Sequence, residues 1–447
     1  MSYIKEKLYL FELNPPRVLA MGFLGLILIG TLLLNLPIAS ADGESIGMLD
    51  ALFTSASAVC VTGLIVVNTA EYWSMFGKVV ILLLIQMGGL GIMTMATMVA
   101  LIMGKKISLK ERLIIKEQMN QKTMSGMVRL TLYVILMTFS IEAVGAILLS
   151  FKFVPEYGIA KGIWFSIFHS VSAFCNAGFD ITGNSFMSYA DSPLTIFTLS
   201  VLIIIGGTGF AVLNDIFRVR KWKRFSLHSK LVITMSVVLL LIGTIFIFIL
   251  EYSNPLTIGE MPLWEKLSSA FFASVVPRTA GFNSIDTAAL RESSVFVTII
   301  LMFIGGAPGS TAGGVKTATI GVVLMATISI IRGDKDIEMY EKRLKQETIF
   351  KSLAIVTVGM GMIVLISFLL TITESGTFMD LLFEATSAFG TVGLSRGVTP
   401  ELSKLGKIII IGTMYAGRVG PLTMAYAIGY NKKHKRYRYS EGHISVG

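Results

Sequence analysis

The chain has few of the side chains from which enzymes and metal sites are built. It contains two cysteines and four histidines, and only 15% of its residues are charged. Two cysteines without a CxxC spacing argue against a disulfide framework, and so few histidines argue against a zinc site. The sequence also lacks the HExxH motif of zinc hydrolases and the GxxxxGK[ST] motif of nucleotide-binding loops. These absences argue against catalysis.

Apolar residues take the place of the missing charges. The 447 residues are 53% hydrophobic and have a mean hydropathy of +0.74, values typical of polytopic membrane proteins. The first apolar run, Val18–Leu36, is about long enough to span the hydrocarbon core. Because no small-residue cleavage site follows it, we interpret it as a membrane anchor rather than a signal peptide.

Four glycine-bearing turns recur along the chain, each between a short apolar stretch and a long one. Their glycines lie roughly 103 to 115 residues apart, each is followed by Leu or Phe, and three turns are preceded by a Ser-Ala pair. Such an internal repeat decides the architecture, and unrelated turn glycines would not stay in register four times. The turns are Cys60-Val61-Thr62-Gly63, Cys175-Asn176-Ala177-Gly178, Arg278-Thr279-Ala280-Gly281 and Gly390-Thr391-Val392-Gly393.

Each repeat is predicted to contain a spanning helix, a short helix, the turn and a second spanning helix. The short helices have about 11 to 13 residues, or near 18 Å of rise, against a hydrocarbon core of about 30 Å. They must therefore enter the membrane and stop, which is tolerable where protein or a water-filled cavity covers the backbone. The predicted short helices are Met48–Val59, Ile163–Phe174, Trp264–Val276 and Phe378–Phe389.

The predicted fold is an all-α polytopic membrane protein. It has eight transmembrane helices in four repeats with re-entrant pore helices, arranged with pseudo-fourfold symmetry around one axial pore. The repeats are predicted at residues 1–104, 105–218, 219–332 and 333–431, followed by a basic cytoplasmic tail at 432–447. The predicted spans are Val18–Leu36, Phe76–Met103, Met127–Leu149, Pro193–Phe217, Leu231–Leu250, Ser294–Ile331, Ser352–Thr371 and Leu405–Ile428.

Positive charge is concentrated at a few places. The net charge is +10, and 27 of the 38 lysine and arginine residues fall in five segments. The last four of these follow the second span of each repeat, and the loops on the other side are weakly charged or acidic. This positive-inside pattern predicts that both termini and three connecting loops are cytoplasmic. The segments are the N-terminus with Lys5, Lys7 and Arg17, and the stretches Lys105–Arg129, Arg218–Lys230, Arg332–Lys351 and Lys432–Arg438.

The four turns together predict an ion selectivity filter. A ring of glycine-containing turns whose carbonyls replace an ion's hydration shell is the construction of potassium filters. The C-termini of the short helices carry partial negative charge, which favours a dehydrated cation at the centre of the ring. Main-chain oxygens of all sixteen turn residues given above are the predicted ligands, so the side chains set geometry. The ion expected at the filter is a transported cation, potassium by analogy with such filters, rather than a resident cofactor.

A second glycine group lies inside the second span of every repeat. In repeats one and two we interpret these glycines as positions that allow helices to pack closely. In repeat three no continuous helix is expected, because glycine and proline are the poorest helix formers. This segment is predicted to be a gate below the filter, made of Gly305, Gly306, Ala307, Pro308, Gly309, Ser310, Thr311, Ala312, Gly313 and Gly314, with Lys316 and Arg418.

For several single residues the sequence allows both a functional role and a purely structural one. Lys316 and Arg418 are intramembrane cations, expected to repel ions in the cavity below the filter, with snorkelling to headgroups as the alternative. Cys60 and Cys175 are expected to be small packing residues, with a redox pair as the alternative. Arg278 is expected to point away from the pore, to an acidic partner or to carbonyls, as a structural clamp. Glu142 lies within a span and its partner is not evident from the sequence.

These motifs resemble the superfamily of potassium transporters that contains the Trk, Ktr and plant HKT proteins. The likeness covers essentially the whole chain, and the length, short termini and Tyr439-Ser440-Glu441-Gly442 segment are similar to bacterial Ktr membrane subunits of the KtrB/KtrD kind. The motifs that carry it are Asn176-Ala177-Gly178-Phe179, Pro277-Arg278-Thr279-Ala280-Gly281-Phe282, the break ending in Gly314-Val315-Lys316, and Gly417-Arg418-Val419-Gly420-Pro421-Leu422-Thr423.

The resemblance implies a homodimer of pore-forming subunits on a cytosolic, octameric nucleotide-binding ring of the KtrA/KtrC type. It also implies potassium uptake into a bacterial cell across the plasma membrane, modulated by sodium and by ATP or ADP on the ring. The chain itself is expected to hold no cofactor and to bind no nucleic acid. In this superfamily glycine at all four filter positions goes with potassium, and serine in the first filter goes with sodium; the chain has Gly63 there.

Two alternatives stay open at the level of the sequence. One is a sodium-preferring or non-selective channel or transporter of the same architecture, since Asp180 and Asn283 flank the filter. The other is a membrane-embedded enzyme or receptor, which has less support because the sequence has no HExxH motif and no pair of carboxylates placed by clear spacing in adjacent spans.

Overall fold

The computed structural model is mostly helical. It describes residues 15–91, 94–98, 107, 109–118, 127–334, 336–420, 423, 440, 442 and 445. Several predicted features lie wholly or partly outside this range. They are most of the basic N-terminus, part of Lys105–Arg129, the ends of the spans Phe76–Met103 and Leu405–Ile428, the motif Pro421-Leu422, and nearly all of the tail at 432–447.

Four long helices lie where the sequence predicts the first span of each repeat. All four are long and apolar enough to cross a membrane, by length and composition. The N-terminus of the third is capped by the Ser226 hydroxyl, which accepts a hydrogen bond from the amide of Ser229 at 3.2 Å. We call them long helices 1 to 4: Pro15–Leu34, Met127–Tyr157, Leu227–Glu251 and Gln346–Thr373.

Four short helices follow, close to the predicted boundaries. With 13 or 17 residues, none is long enough to cross a bilayer core of about 30 Å. The second begins four residues before its predicted start, because Gly158 at φ 81° turns the chain directly from long helix 2 into it. We call them short helices 1 to 4: Met48–Cys60, Ile159–Cys175, Leu263–Val275 and Phe378–Gly390.

The helices after the turns are shorter than predicted. Return helix 1 is Met75–Leu90, return helix 2 is Pro193–Thr208 and return helix 4 is Lys404–Val419. Return helix 3 has two parts, Glu292–Phe303 and Thr317–Arg332. The predicted break in the third repeat is therefore confirmed, at residues 304–316.

The prediction of one continuous span at Pro193–Phe217 is wrong. The helix stops at Thr208, and the chain continues from Phe210 at a bend of 100°. Gly209 at the break has φ 89° and ψ 137°, a conformation that favours glycine. Return helices 1 and 4 end at glycines with nearly the same angles, Gly91 with φ 83° and Gly420 with φ 90°.

The glycine groups in these helices also serve close packing, as the sequence predicts for repeats one and two. A Cβ on Gly88, Gly206 or Gly417 would collide with the backbone oxygen of Val59, Phe174 or Phe389 in the short helix of the same repeat. Each return helix also packs on the short helix of the next repeat, and return helix 4 packs on short helix 1. The four repeats therefore close into a ring in chain order.

Small elements complete the described part. Other helical segments are Thr69–Tyr72, Leu109–Gln118, Phe210–Asn214 and Val398–Glu401, the π turn Asp215–Val219, and the 3₁₀ turns Pro37–Ala39, Met187–Tyr189 and Trp222–Arg224. Two-residue strands Glu338–Met339 and Lys342–Arg343 pair as an antiparallel hairpin.

Candidate functional site: a ring of four turns and the loop against it

Three of the four short helices end in the same way. A left-handed residue follows each of short helices 1, 2 and 4: Val61 at φ 56°, Asn176 at φ 61° and Thr391 at φ 51°. Its amide bonds to the alanine of the Ser-Ala pair, and the next amide bonds to the serine carbonyl, as in Thr62 N to Ser57 O at 2.8 Å. These bonds satisfy the last helix carbonyls.

The serine side chains of the pairs hold the turns a second time. The Ser57 and Ser387 hydroxyls accept hydrogen bonds from the amides of Gly63 and Gly393, each at 3.1 Å. The Ser172 hydroxyl instead donates to the Phe179 carbonyl at 2.8 Å. Each serine side chain thus fixes the backbone of its own turn.

Each turn glycine lies against the backbone of the next turn, in the order of the repeats. A Cβ on Gly63 would lie 2.5 Å from the Ala177 oxygen, one on Gly178 would lie 2.9 Å from the Ala280 oxygen, and one on Gly281 would lie 2.7 Å from the Val392 oxygen. A Cβ on Gly393 would collide with the Thr62 oxygen, which closes the ring. All four glycines have positive φ, between 70° and 93°. The predicted turn residues are therefore brought together, and no side chain fits at the glycine positions.

The third turn is built differently. Thr279 is its left-handed residue, at φ 74°, and no serine occupies the supporting position. Buried Arg278 donates from Nη2 to the Ser236 hydroxyl of long helix 3 at 2.9 Å. The side chain thus turns outward as expected, but its partner is a hydroxyl rather than an acidic group or a carbonyl, since Ser236 is the polar group that long helix 3 offers there.

The partner of Glu142 is on return helix 1. Gln86 Nε2 donates to Glu142 Oε2 at 3.2 Å, and the Cys175 thiol lies 3.5 Å from Gln86 Oε1 and 3.9 Å from Glu142 Oε1. Cys60 and Cys175 are both buried and free. Cys175 therefore links the second turn to a small polar cluster behind the ring.

The loop at residues 304–316, which contains the predicted gate residues 305–314, packs against the second and fourth turns. Thr311 Oγ1 lies 3.2 Å from the Phe174 oxygen and 3.0 Å from Asn176 Oδ1. A Cβ on Gly313 would collide with the Thr391 side chain, so this glycine is needed for the contact. The loop thus covers two turns that are not neighbours in the ring.

The same loop caps return helix 2 at its break. Ala307 N donates to Gly207 O at 2.8 Å, Thr311 N donates to Gly206 O at 3.3 Å, and Phe210 N donates to Gly309 O at 3.1 Å. These bonds satisfy carbonyls that the end of a helix leaves without partners. The break at Gly209 and the loop of repeat three are therefore one structural unit.

Arg418 ties the loop to two repeats. Its guanidinium donates to the carbonyls of Thr311, Gly88 and Gly89, the last at 3.2 Å. Lys316 Nζ donates to Ala312 O at 2.6 Å, within the loop. No carboxylate pairs with either cation among the described residues. Backbone carbonyls accept hydrogen bonds from both cations, and neither has an ion-pair partner among these residues.

Asp180, which follows the second turn, accepts hydrogen bonds from its own loop. Its carboxylate accepts hydrogen bonds from Ser185 N at 2.7 Å, Gly183 N at 3.3 Å and Thr182 Oγ1 at 3.4 Å. Burial raises the pKa of the Asp180 carboxyl, and these bonds oppose the rise. The Ser185 hydroxyl in turn accepts from Asn283 N at 2.9 Å, so the two residues that flank the turns belong to one hydrogen-bonded loop pair.

Comparison with known proteins assigns this arrangement to a family. A family model described as TrkH, cation transport protein, matches residues 16–435. The chain belongs to the TrkH family of cation transport proteins. This membership confirms the sequence resemblance and makes the chain a multi-pass membrane transporter rather than an enzyme.

TrkH-family relatives match along nearly the whole chain. It is 44% identical to the Ktr system potassium uptake protein B of Bacillus subtilis, over 97% of each chain. It is 42% identical to the potassium/sodium uptake protein NtpJ of Enterococcus hirae, over 98% of each. The crystal structure of the potassium transporter TrkH from Vibrio parahaemolyticus shares the fold, with a TM-score of 0.71, 19% identity, and coverage of 92% of this chain and 85% of that one.

Proposed function

We propose that the chain carries potassium into the cell through the ring of four turns, which acts as the selectivity filter. The observation that carries this proposal is the closed contact of Gly63, Gly178, Gly281 and Gly393 with the carbonyls of the neighbouring turns. Carbonyl rings of this kind replace the hydration shell of an ion. The four short helices end at the ring, where their C-terminal partial charges stabilise a cation.

The choice of potassium is supported by the glycine at each of the four positions and by the names of the relatives. Two of them are potassium uptake proteins, and a third is a potassium/sodium uptake protein. The alternative of a sodium-preferring or non-selective transporter of the same architecture rests on this last relative.

The gate in this proposal is the loop at residues 304–316 with Lys316 and Arg418. The loop packs against two turns and is tied by Arg418 to return helix 1. In this position it obstructs the path by its bulk, while the two cations lower the occupancy of the path by other cations. Glycines in the loop allow it to move when a cytosolic partner shifts Thr317–Arg332.

The membrane arrangement completes the proposal. Eight spans cross a bacterial plasma membrane in four repeats, the short helices are re-entrant pore helices, and both termini are cytoplasmic. The exposed basic residues in and directly after the π turn support this orientation: Arg218, Arg220, Lys221, Lys223 and Arg224.

Cysteines introduced near positions 115, 225 and 340 test the orientation. Each is expected to react only with a membrane-permeant reagent, because each lies in a predicted cytoplasmic segment. The native cysteines are buried and give a low background. Labelling of any of the three by an impermeant reagent from outside would overturn the eight-span arrangement.

Two copies of the chain on a cytosolic nucleotide-binding ring form the proposed complex. Its support is the Ktr system named in the relatives, together with the predicted cytoplasmic loops, which at roughly 13 to 26 residues are too small to form a regulatory domain. We expect purified protein without the ring to respond to neither ATP nor ADP, measured as potassium flux into liposomes. A nucleotide response of the isolated chain would contradict this.

Growth and uptake of a potassium-uptake-deficient bacterial strain test the central proposal. Expression of the chain, with and without a ring partner, is expected to restore growth at low potassium and to give rubidium uptake that potassium inhibits more strongly than sodium. Equal inhibition by both ions would favour the alternative transporter. No uptake with any ring partner, despite protein in the membrane, would contradict cation uptake.

A further inference from the structure

One position in the short helices distinguishes the four turns. It lies nine residues before each turn glycine and is occupied by Thr54, His169, Phe272 and Glu384. All four side chains are buried. The position is structurally equivalent in the four repeats, but its chemistry differs.

His169 holds the segment that leaves the second turn. Its Nδ1 lies 2.8 Å from the Phe165 oxygen, and its Nε2 lies 3.1 Å from the amide nitrogen of Ile181. Since a carbonyl only accepts and an amide only donates, Nδ1 carries the proton and Nε2 is the acceptor. Both nitrogens of the neutral ring are used, and the rings of Phe153, Phe168 and Phe186 surround it at 5.1 to 5.7 Å.

Glu384 does the same for the fourth turn. Its two carboxylate oxygens accept from the hydroxyls of Ser395, at 2.8 Å, and Thr399. Ser395 and Thr399 lie two and six residues after Gly393, so both ends of the outgoing segment are tied to the helix. No cation pairs with Glu384 among the ion pairs of the described residues.

The other two turns have no such bond. The Thr54 hydroxyl donates to the Asp50 carbonyl of its own helix at 2.9 Å, and Phe272 has no polar side-chain atom. Turns 2 and 4 are not neighbours in the ring, so bonded and unbonded turns alternate around it.

We propose that His169 and Glu384 are positioning residues that determine ion specificity. They fix the segments that leave turns 2 and 4, and so fix the carbonyls of those turns at the spacing that suits potassium. Selectivity of a carbonyl ring depends on the number and placement of its oxygens. This inference rests on the filter role given to the ring under Proposed function, and it assigns different duties to turns 2 and 4 than to turns 1 and 3.

The test compares His169→Leu and Glu384→Leu with Thr54→Val, the matched control at the same position of repeat one. We expect each leucine variant to lower the preference for potassium over sodium about fivefold, the effect of losing one or two buried hydrogen bonds. Thr54→Val should keep the preference. Glu384→Gln should keep it too, because the amide can still pair with both hydroxyls.

A second route avoids placing leucine in the core. Ser395→Ala removes one donor to Glu384, together with the acceptor that this hydroxyl offers to the amides of Gly397 and Thr399, and leaves short helix 4 unchanged. It should lower the preference in the same direction by a smaller factor. If Glu384→Gln lowers the potassium preference as much as Glu384→Leu does, the preference depends on the negative charge of Glu384 rather than on its hydrogen bonds. The proposal would then be wrong for Glu384.

Hydrogen exchange gives a readout that does not depend on transport. The Ile181 amide should exchange about tenfold faster in His169→Leu, because its acceptor is removed, and should be unchanged in Thr54→Val. Faster exchange together with an unchanged ion preference would show a merely structural bond and overturn the proposal. If the unmodified chain shows no potassium preference, the proposed function itself is wrong; if it prefers potassium and both leucine variants do too, only this inference is wrong.

Discussion

Replacing Arg418 with methionine is expected to raise cation flux about tenfold or more and to weaken its dependence on a ring partner. The guanidinium holds the loop at Thr311 and return helix 1 at Gly88 and Gly89. Hydrogen bonds to charged groups contribute about 1.5–3 kcal/mol each, and about 1.4 kcal/mol changes the ratio of closed to open loop tenfold. Loss of the positive charge acts in the same direction, since it removes a repulsion on entering ions.

Rubidium uptake into liposomes, with and without the ring, measures this effect. Lys404→Met is the control, because Lys404 is an exposed cation in the same helix. Arg418→Lys should give an intermediate flux, since lysine keeps the charge but not the fork of donors. This point variant is a sharper test than deletion of residues 306–313, which would also remove the cap of return helix 2. A folded Arg418→Met protein with unchanged flux and regulation would place the gate elsewhere.

Replacing Gly63 with serine is expected to reduce the preference for potassium over sodium at least tenfold. The new Cβ would lie 2.5 Å from the Ala177 oxygen, at a backbone φ of 91° that side chains rarely adopt. Backbone strain of this kind costs about 1–3 kcal/mol, so the ring must open or shift at this point. Either change moves carbonyls that the proposal assigns to the ion.

Competition of potassium and sodium for rubidium uptake measures the preference. Gly25→Ser is the matched control, because a Cβ on Gly25 in long helix 1 meets nothing within 4 Å. Unchanged affinities for both ions in Gly63→Ser would contradict a filter role for the first turn.

The helices could be predicted from the sequence because their signals are local. The length of the apolar runs predicted the long helices. A glycine turn after a short apolar stretch predicted the short helices, with ends that lie within four residues of the observed ones. The breaks at Gly91, Gly209 and Gly420 were missed, since glycine in an apolar helix fits close packing equally well. At Gly209 the break depends on the loop of repeat three, which supplies the cap, and no local signal reports a partner about 100 residues away.

The candidate site was predicted unevenly for the same reason. The turn residues follow from the repeat, and the recurring Ser-Ala pair was a visible sign of the cap that it forms. The contact of Glu142 with Gln86 joins residues 56 positions apart, so the sequence alone did not reveal it. His169 and Glu384 were overlooked because their shared position emerges only when the short helices are aligned on the turn glycines and their bonds are seen.

If the loop is the gate proposed above, its cap on return helix 2 would make opening an exchange of hydrogen-bond partners. When the loop leaves, the carbonyls of Gly206 and Gly207 lose the amides of Thr311 and Ala307. Water and passing cations are the replacements, and a cation bound there stabilises the open arrangement by mass action. We therefore expect the ion to promote its own passage, with the open fraction rising as potassium concentration rises. The carbonyl oxygens that hold the loop in the closed position would then be the ones that bind a permeating ion in the open position.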